Sequence, residues 1–378
     1  MRYTLTSDEL DLQSSLRSFL STLVPINDYE RICESDEGFD GDVWKRLTSH
    51  GWLDLHAMSA EAEASAWPIA GVVMAEEFGR TLVPAPVELV AGFLLPLLGR
   101  LEPGSFGLTL EHEPFVDEVP TVCVEALLPL VYQGRPGQRS GLAVEERDGG
   151  VRLTGRLPAV QFAGVASWLF LPVELSTGWG LARVHLGAAG VIVQAVSTVD
   201  PGRTSASVTL DAVEIPKADL VLNAADGSSV EGHLTEALMS YLLFLDGKAI
   251  GACEVLLERT LAYVKEREQF DVAIGSFQAI KHKVADMATT IEASRSLASF
   301  TAWEVAQRHA DRDEAVLASR LYCADAYRRV CELAIQCHGG MGFTWEVGLH
   351  FWYRSATHDS AVADLTLGDL ARVLGVTA

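Results

Sequence analysis

Positive charge is scarce in this 378-residue chain: 29 Lys and Arg stand against 51 Asp and Glu, a formal net charge of −22. Phosphate backbones are bound mainly through clustered cations, so this balance argues against a nucleic-acid partner. Cysteine is sparse as well. Cys33, Cys123, Cys253, Cys323, Cys331 and Cys337 form no C-x-x-C pair, and most lie in apolar runs where a free thiol packs as a small hydrophobe. A reducing cytoplasm without disulfides is the expectation. Charge-free apolar runs long enough for a membrane are missing: residues 237–262 are the most apolar stretch, yet Asp246, Lys248, Glu254, Glu258 and Arg259 interrupt them, which makes a buried helix and not a span. The opening residues, MRYTLTSDELDLQ, lack the apolar core of a signal peptide, so export is not expected. Internal repeats and low-complexity tracts are absent, and His56, His185 and His282 have no metal-ligand spacing. What remains is a globular chain long enough for two or three domains.

Three grammars follow one another along it. Ser7, Asp8 and Glu9 read as a helix start, with a capping oxygen and negative charge at the positive end of the dipole. Leu12, Leu16, Phe19, Leu20 and Leu23 then share a face, and further helical runs lie around Gly41 to His50 and Pro68 to Phe78. Residues 1–105 are expected to be a helical domain, closed by the Pro84 and Pro86 break and the Leu101-Glu102-Pro103-Gly104 turn. Over 106–225, short Val, Leu and Thr runs alternate with turns such as Asp148-Gly149-Gly150 and Asp200-Pro201-Gly202. Val151 to Thr154, Trp168 to Leu171 and Ala206 to Leu210 are the clearest strands, and the spacing predicts a compact antiparallel sheet or barrel. Residues 226–378 return to helical periodicity in segments near 233–266, 276–307, 312–338 and 360–374, the pattern of a helical bundle. The fold class is therefore α+β.

Two sets of residues in the last domain carry chemistry: Arg267, Gln269 and Phe270 with Phe277 and Gln278, and Gln336-Cys337-His338-Gly339-Gly340-Met341-Gly342. Earlier come Asp36-Glu37-Gly38-Phe39-Asp40, Val43-Trp44, Gly51-Trp52-Leu53 and Glu76-Glu77-Phe78-Gly79-Arg80. Taken singly, an Arg after a helix is most often a solvated or ion-paired surface group, and Gly-Gly after a helix is most often its C-cap. Jointly and in this order, about 70 residues apart, the two sets make the chain resemble the acyl-CoA dehydrogenase family over essentially its whole length.

That resemblance implies a family architecture of N-terminal helical domain, middle antiparallel β domain and C-terminal helical bundle. It implies FAD as cofactor and an acyl-CoA thioester as substrate, with a carboxylate removing the α-proton while the flavin takes the β-hydrogen as hydride. It also implies that Arg267, Gln269, Phe270, Gln278, Gln336, Gly339 and Gly340 hold the ADP half of a neighbouring subunit's FAD. The residue types suit a pyrophosphate: Arg267 offers a planar fork of donors, and Gly339-Gly340 lets backbone come close. Phe270 is expected in the core whether or not this role holds. Asp271 stands where the family has Gly and needs backbone tolerant of the left-handed region. His338 is expected to pack or cap, and Trp168, Trp303, Trp345 and Trp352 to be core or interface.

The family's base is what the sequence does not offer. One family position for it falls near Ala363-Asp364-Leu365-Thr366, beyond the Arg-containing Tyr353-Arg354-Ser355-Ala356 segment, and no Glu is there. The other, aligned on Gly251, falls on Gly247 or Tyr241. Asp246 and Asp364 are the nearest carboxylates, each expected as a polar-face or surface residue, or alternatively as a base. The family's flavin-covering loop is also unrecognisable in Glu125 to Leu130 and Gly134 to Gln138, and the strand after it reads Leu157-Pro158-Ala159-Val160-Gln161-Phe162. Contacts lent to a neighbour are thus kept while those for the chain's own pocket are lost. This resembles the base-less subunit of the heteromeric, α2β2 acyl-CoA dehydrogenases of actinobacterial steroid and lipid catabolism, paired with a related Glu-bearing subunit. Two other readings stay open: a self-sufficient homo-oligomer using Asp246 or Asp364 as base, and a non-redox acyl-CoA-binding or scaffold protein of the same fold.

Overall fold

The first helix starts where its capping chemistry puts it. Thr6 Oγ1 accepts from the Glu9 N–H while Glu9 returns the bond to the Thr6 N–H, a closed capping box, and α1 runs Ser7–Leu23 with Leu16, Leu20 and Leu23 buried. The computed structural model describes residues 5–53, 67–101, 105–107, 115, 118–124 and 142–373, except the side chains of Asn27, Trp67 and 362–373. Helices α2 (Ile26–Cys33), α3 (Gly41–Thr48) and α4 (Trp67–Thr81) follow. Eight strands come next: β1 (Pro120–Val122), β2 (Leu142–Arg147), β3 (Gly150–Gln161), β4 (Trp168–Leu175), β5 (Gly178–His185), β6 (Val191–Val196), β7 (Ser205–Pro216) and β8 (Leu220–Val221). The chain then becomes helical again, with α5 (Val230–Glu266), α6 (Gln278–Ala306), α7 (Arg312–His338) and α8 (Leu349–Val373). Between α5 and α6 sits a small hairpin of β9 (Glu268–Gln269) and β10 (Val272–Ala273). This is an α+β protein.

Two compact units form, Met1–Tyr29 with Ser65–Val83 and Leu242–Ala378, and Glu30–Ala64 with Pro84–Tyr241. The second holds β1 to β8, in sheets ordered β1-β4-β5-β8 and β2-β3-β7-β6. Their shared apolar core includes Leu153, Val160, Leu169, Leu171, Val184 and Val208. Pairing is antiparallel except between β1 and β4, which run parallel with Pro120 opposite Trp168. The expected antiparallel pairing is present, with this one parallel pair added to it. A parallel pair needs a crossover connection, and the chain supplies one by building β2 and β3 into the other sheet before returning as β4.

In the first unit the helices close on glycine. A Cβ on Gly247 would come 2.5 Å from the Val72 carbonyl oxygen, and one on Gly251 only 1.7 Å from that of Glu76. These two residues, one helical turn apart on α5, let its backbone lie directly against α4. The last helix begins at Leu349, eleven residues before the expected start near 360. Its buried face explains the difference: Leu349, Trp352 and Ala356 alternate with buried Ser355 and Asp359, so polar residues hide the apolar stripe on which periodicity depends. All six cysteines are free, five of them buried. Among the described residues no helix is long and apolar enough to cross a membrane, and no cluster of His, Cys, Asp or Glu could hold a metal ion.

Candidate functional site

The segment after α5 turns back at once. Arg267 ends the helical ladder, its N–H donating to the Tyr263 carbonyl at 2.8 Å while its own carbonyl accepts from the Ile274 N–H at 2.8 Å. Gln269 pairs with Val272, which leaves Phe270 and Asp271 as a two-residue turn with φ of 56° and 65°, the backbone of a type I′ hairpin. Asp271 does occupy left-handed backbone, the conformation its position demands. Phe270 does not join the core. It is 87% exposed, a correction of the expected burial, because the first turn position projects away from both strands. Phe277 meets it edge to face at 6.2 Å, and Gln278 opens α6.

The second segment is the end of α7. Gly339 terminates the helix with φ 60° and ψ −136°, a combination open in practice to glycine alone, so the C-cap reading holds for this residue. Gly340 is different. An added Cβ there would meet nothing within 4 Å, so among the described residues no packing contact requires glycine at this position. Arg267, Gln269, Phe270, Gln278, Gln336, Gly339 and Gly340 are all exposed. The Arg267 guanidinium makes no ion pair among the described residues. The same two segments show large apolar groups to solvent, Val272, Phe277, Met341, Phe343 and Trp345, of which Phe343 is 72% exposed.

One contact, between Tyr263 outside the first motif and His338 within the second, brings them together. The rings of Tyr263 and His338 stack with centroids 4.2 Å apart and a 22° tilt, and Tyr263 Oη donates to the His338 carbonyl at 3.4 Å. His338 packs as expected: it is buried, its Nδ1 donates to the Ala334 carbonyl at 2.8 Å, and burial lowers its pKa. Tyr263 escaped the sequence reading. Its place four residues before Arg267, hence on the same helix face, is the one signal that could have found it.

The candidate bases fare differently. Asp246 is neither on a polar face nor open to a substrate: it is wholly buried, its Oδ2 accepting from Ser319 Oγ at 2.6 Å and its Oδ1 from Arg320 Nη1 at 2.9 Å. Burial pushes its carboxyl up to about 6, with Arg320 and Ser319 opposing. Both oxygens are committed to these partners, and the expected polar-face placement is corrected, since the side chain has no exposed surface. Gly247 is pressed against α4 and has room for no acidic side chain, while Tyr241 is buried. Asp364 lies on α8, with its side chain outside the described residues. The Glu125 to Leu130 and Gly134 to Gln138 segments also lie outside them. In β3, Leu157 and Val160, and Phe162 beyond its end, are buried in apolar packing.

Residues 243–362, which contain both segments, match the family model described as acyl-CoA dehydrogenase, C-terminal domain. These residues form an acyl-CoA dehydrogenase C-terminal domain. Over 387 aligned residues it is 25% identical to acyl-CoA dehydrogenase FadE27 of Mycobacterium tuberculosis, covering 99% of this chain and 98% of that one. It is 35% identical over 162 residues to the probable acyl-CoA dehydrogenase YngJ of Bacillus subtilis, covering 41% and 40%. Among solved structures, a chain of the ChsE4-ChsE5 complex from Mycobacterium tuberculosis superposes with a TM-score of 0.80 at 23% identity, over 100% of each chain. That likeness carries the family fold along the entire polypeptide.

Proposed function

We propose that this chain is a subunit of a FAD-dependent acyl-CoA dehydrogenase, one that lends contacts for the ADP half of FAD to a partner subunit and supplies no base of its own. The observation that carries the reading is the exposure of every residue in the two family segments, set against the buried, doubly bonded state of Asp246. The residues fit the group. An uncommitted guanidinium can neutralise a pyrophosphate with directed donors, and open space beside Gly340 lets a ligand reach the backbone N–H groups. Gln269, Gln278 and Gln336 add exposed amides, while the apolar groups at Phe270, Phe277, Phe343 and Trp345 suit a protein partner covering the same surface.

When bound, FAD accepts the β-hydrogen of an acyl-CoA thioester as hydride. This chain's own residues hold and orient it, and the α-proton goes to a Glu on the related partner. Such a division accords with the likeness to one chain of a two-protein complex. A heterotetramer is the proposed assembly and the cytoplasm its proposed location. A bulky, steroid-like acyl group is the proposed substrate class, resting on the resemblance of the motifs alone. The test is co-expression with a related Glu-bearing chain, followed by the flavin-to-protein ratio and acyl-CoA-dependent dye reduction. Yellow, active complex and a nearly colourless lone chain are expected. A lone chain that is fully flavinated and active sinks the reading and favours a homo-oligomer, whereas a flavin-free complex favours a non-redox role.

A further inference from the structure

The Tyr263–His338 stack joins the two exposed segments through a buried member of the second, His338, and a residue just before the first, Tyr263. Tyr263 accepts the Arg267 N–H through its carbonyl at 2.8 Å, and His338 is bonded covalently to Gly339. The hairpin beyond Arg267 has two residues per strand, too few to hold its own place, and the turn after His338 starts where α7 runs out of partners for its carbonyls. His338 is itself anchored by Ala334 at 2.8 Å and is only 5% exposed, which leaves it no route to a ligand.

We infer that Tyr263 and His338 are positioning residues, whose stacked rings set the distance and tilt between the Arg267 hairpin and the Gly339–Gly340 turn so that both grip one pyrophosphate-bearing nucleotide. This rests on the proposed FAD contact. Neither ring touches the nucleotide; each acts through the backbone next to it, and displacement of such a pair by about an ångström costs up to roughly a hundredfold in function.

The experiment is a titration of FAD into the deflavinated complex of this chain with its Glu-bearing partner, followed by flavin fluorescence. Tyr263→Ala and His338→Leu should each weaken FAD binding about tenfold, while Tyr263→Phe, which keeps the ring and loses only the weak hydroxyl bond, stays within about twofold. Tyr263→Leu, of similar bulk, takes the place of Tyr263→Ala if the latter does not fold. In an Arg267→Ala background the Tyr263 change should add little further loss, because a residue acting through Arg267 has nothing left to position. Full affinity in both Tyr263→Ala and His338→Leu, or an undiminished loss in the Arg267→Ala background, overturns the inference while leaving the FAD contact standing. Unchanged affinity in Arg267→Ala alone overturns the FAD contact and the inference with it.

Discussion

Asp246 Oδ1 and Arg320 Nη1 lie 2.9 Å apart, and neither side chain has any exposed surface. Removing one partner of a buried pair leaves an uncompensated charge, which costs about 3–5 kcal/mol. Asp246→Ala should therefore lower the urea midpoint strongly, whereas Asp246→Leu with Arg320→Met should recover most of the loss. A catalytic Asp246 would behave otherwise, with activity abolished and the unfolding curve unmoved.

Two glycines should respond in opposite ways to the same methyl group. Gly251→Ala puts a Cβ against the Glu76 carbonyl and should cost about 1–3 kcal/mol or more by overpacking. Gly340→Ala faces open space and should leave the melting temperature of the lone chain within a degree or two of wild type, about the size expected of a surface change. In the complex, Gly340→Ala should nonetheless release FAD more readily, measured as flavin retained after desalting.

Glu76 gives a pH signature. Burial lifts its carboxyl from 4.5 to about 7, with Arg295, 3.3 Å away, opposing and Glu254 and Glu77 adding to the rise. The folded state then binds more protons than the unfolded state between those values, so stability falls as pH rises from about 4.5 to 7. Glu76→Gln removes this contribution. The stability difference between variant and wild type should grow in favour of the variant across that window and level off above it, as read by thermal unfolding in a pH series.

Exposed aromatics on the two segments predict association without a cost to folding. Phe270→Asp and Phe343→Asp change side chains that are 87% and 72% exposed, so unfolding of the lone chain should shift by no more than about 0.5 kcal/mol. Assembly with the partner should weaken at least tenfold if either lies in the core of an interface, and size-exclusion chromatography with light scattering would register it.

Most helices were legible because their information is local. The span expected at 312–338 coincides with α7, whose apolar positions recur at helical spacing and whose end is marked by Gly339. The strand seeds Val151 to Thr154 and Trp168 to Leu171 lie within β3 and β4. Legibility failed at Leu349, where buried Ser355 and Asp359 break the stripe, and at Phe270, where an aromatic side chain suggests core but a two-residue turn holds it out. The motif residues were readable as types. Their common exposure, and the Tyr263–His338 contact joining them, were not.

By itself the sequence determined the α+β class, the order of helix and strand, and the residue chemistry of the two segments, since periodicity, capping and turn preference act over a few neighbouring positions. Only tertiary structure decided that Asp246 is locked in an ion pair and that Gly247 has room for no acid. Burial is a property of residues brought together from afar: Arg320 comes to Asp246 from 74 positions away, and Val72 of α4 comes to Gly247 from 175.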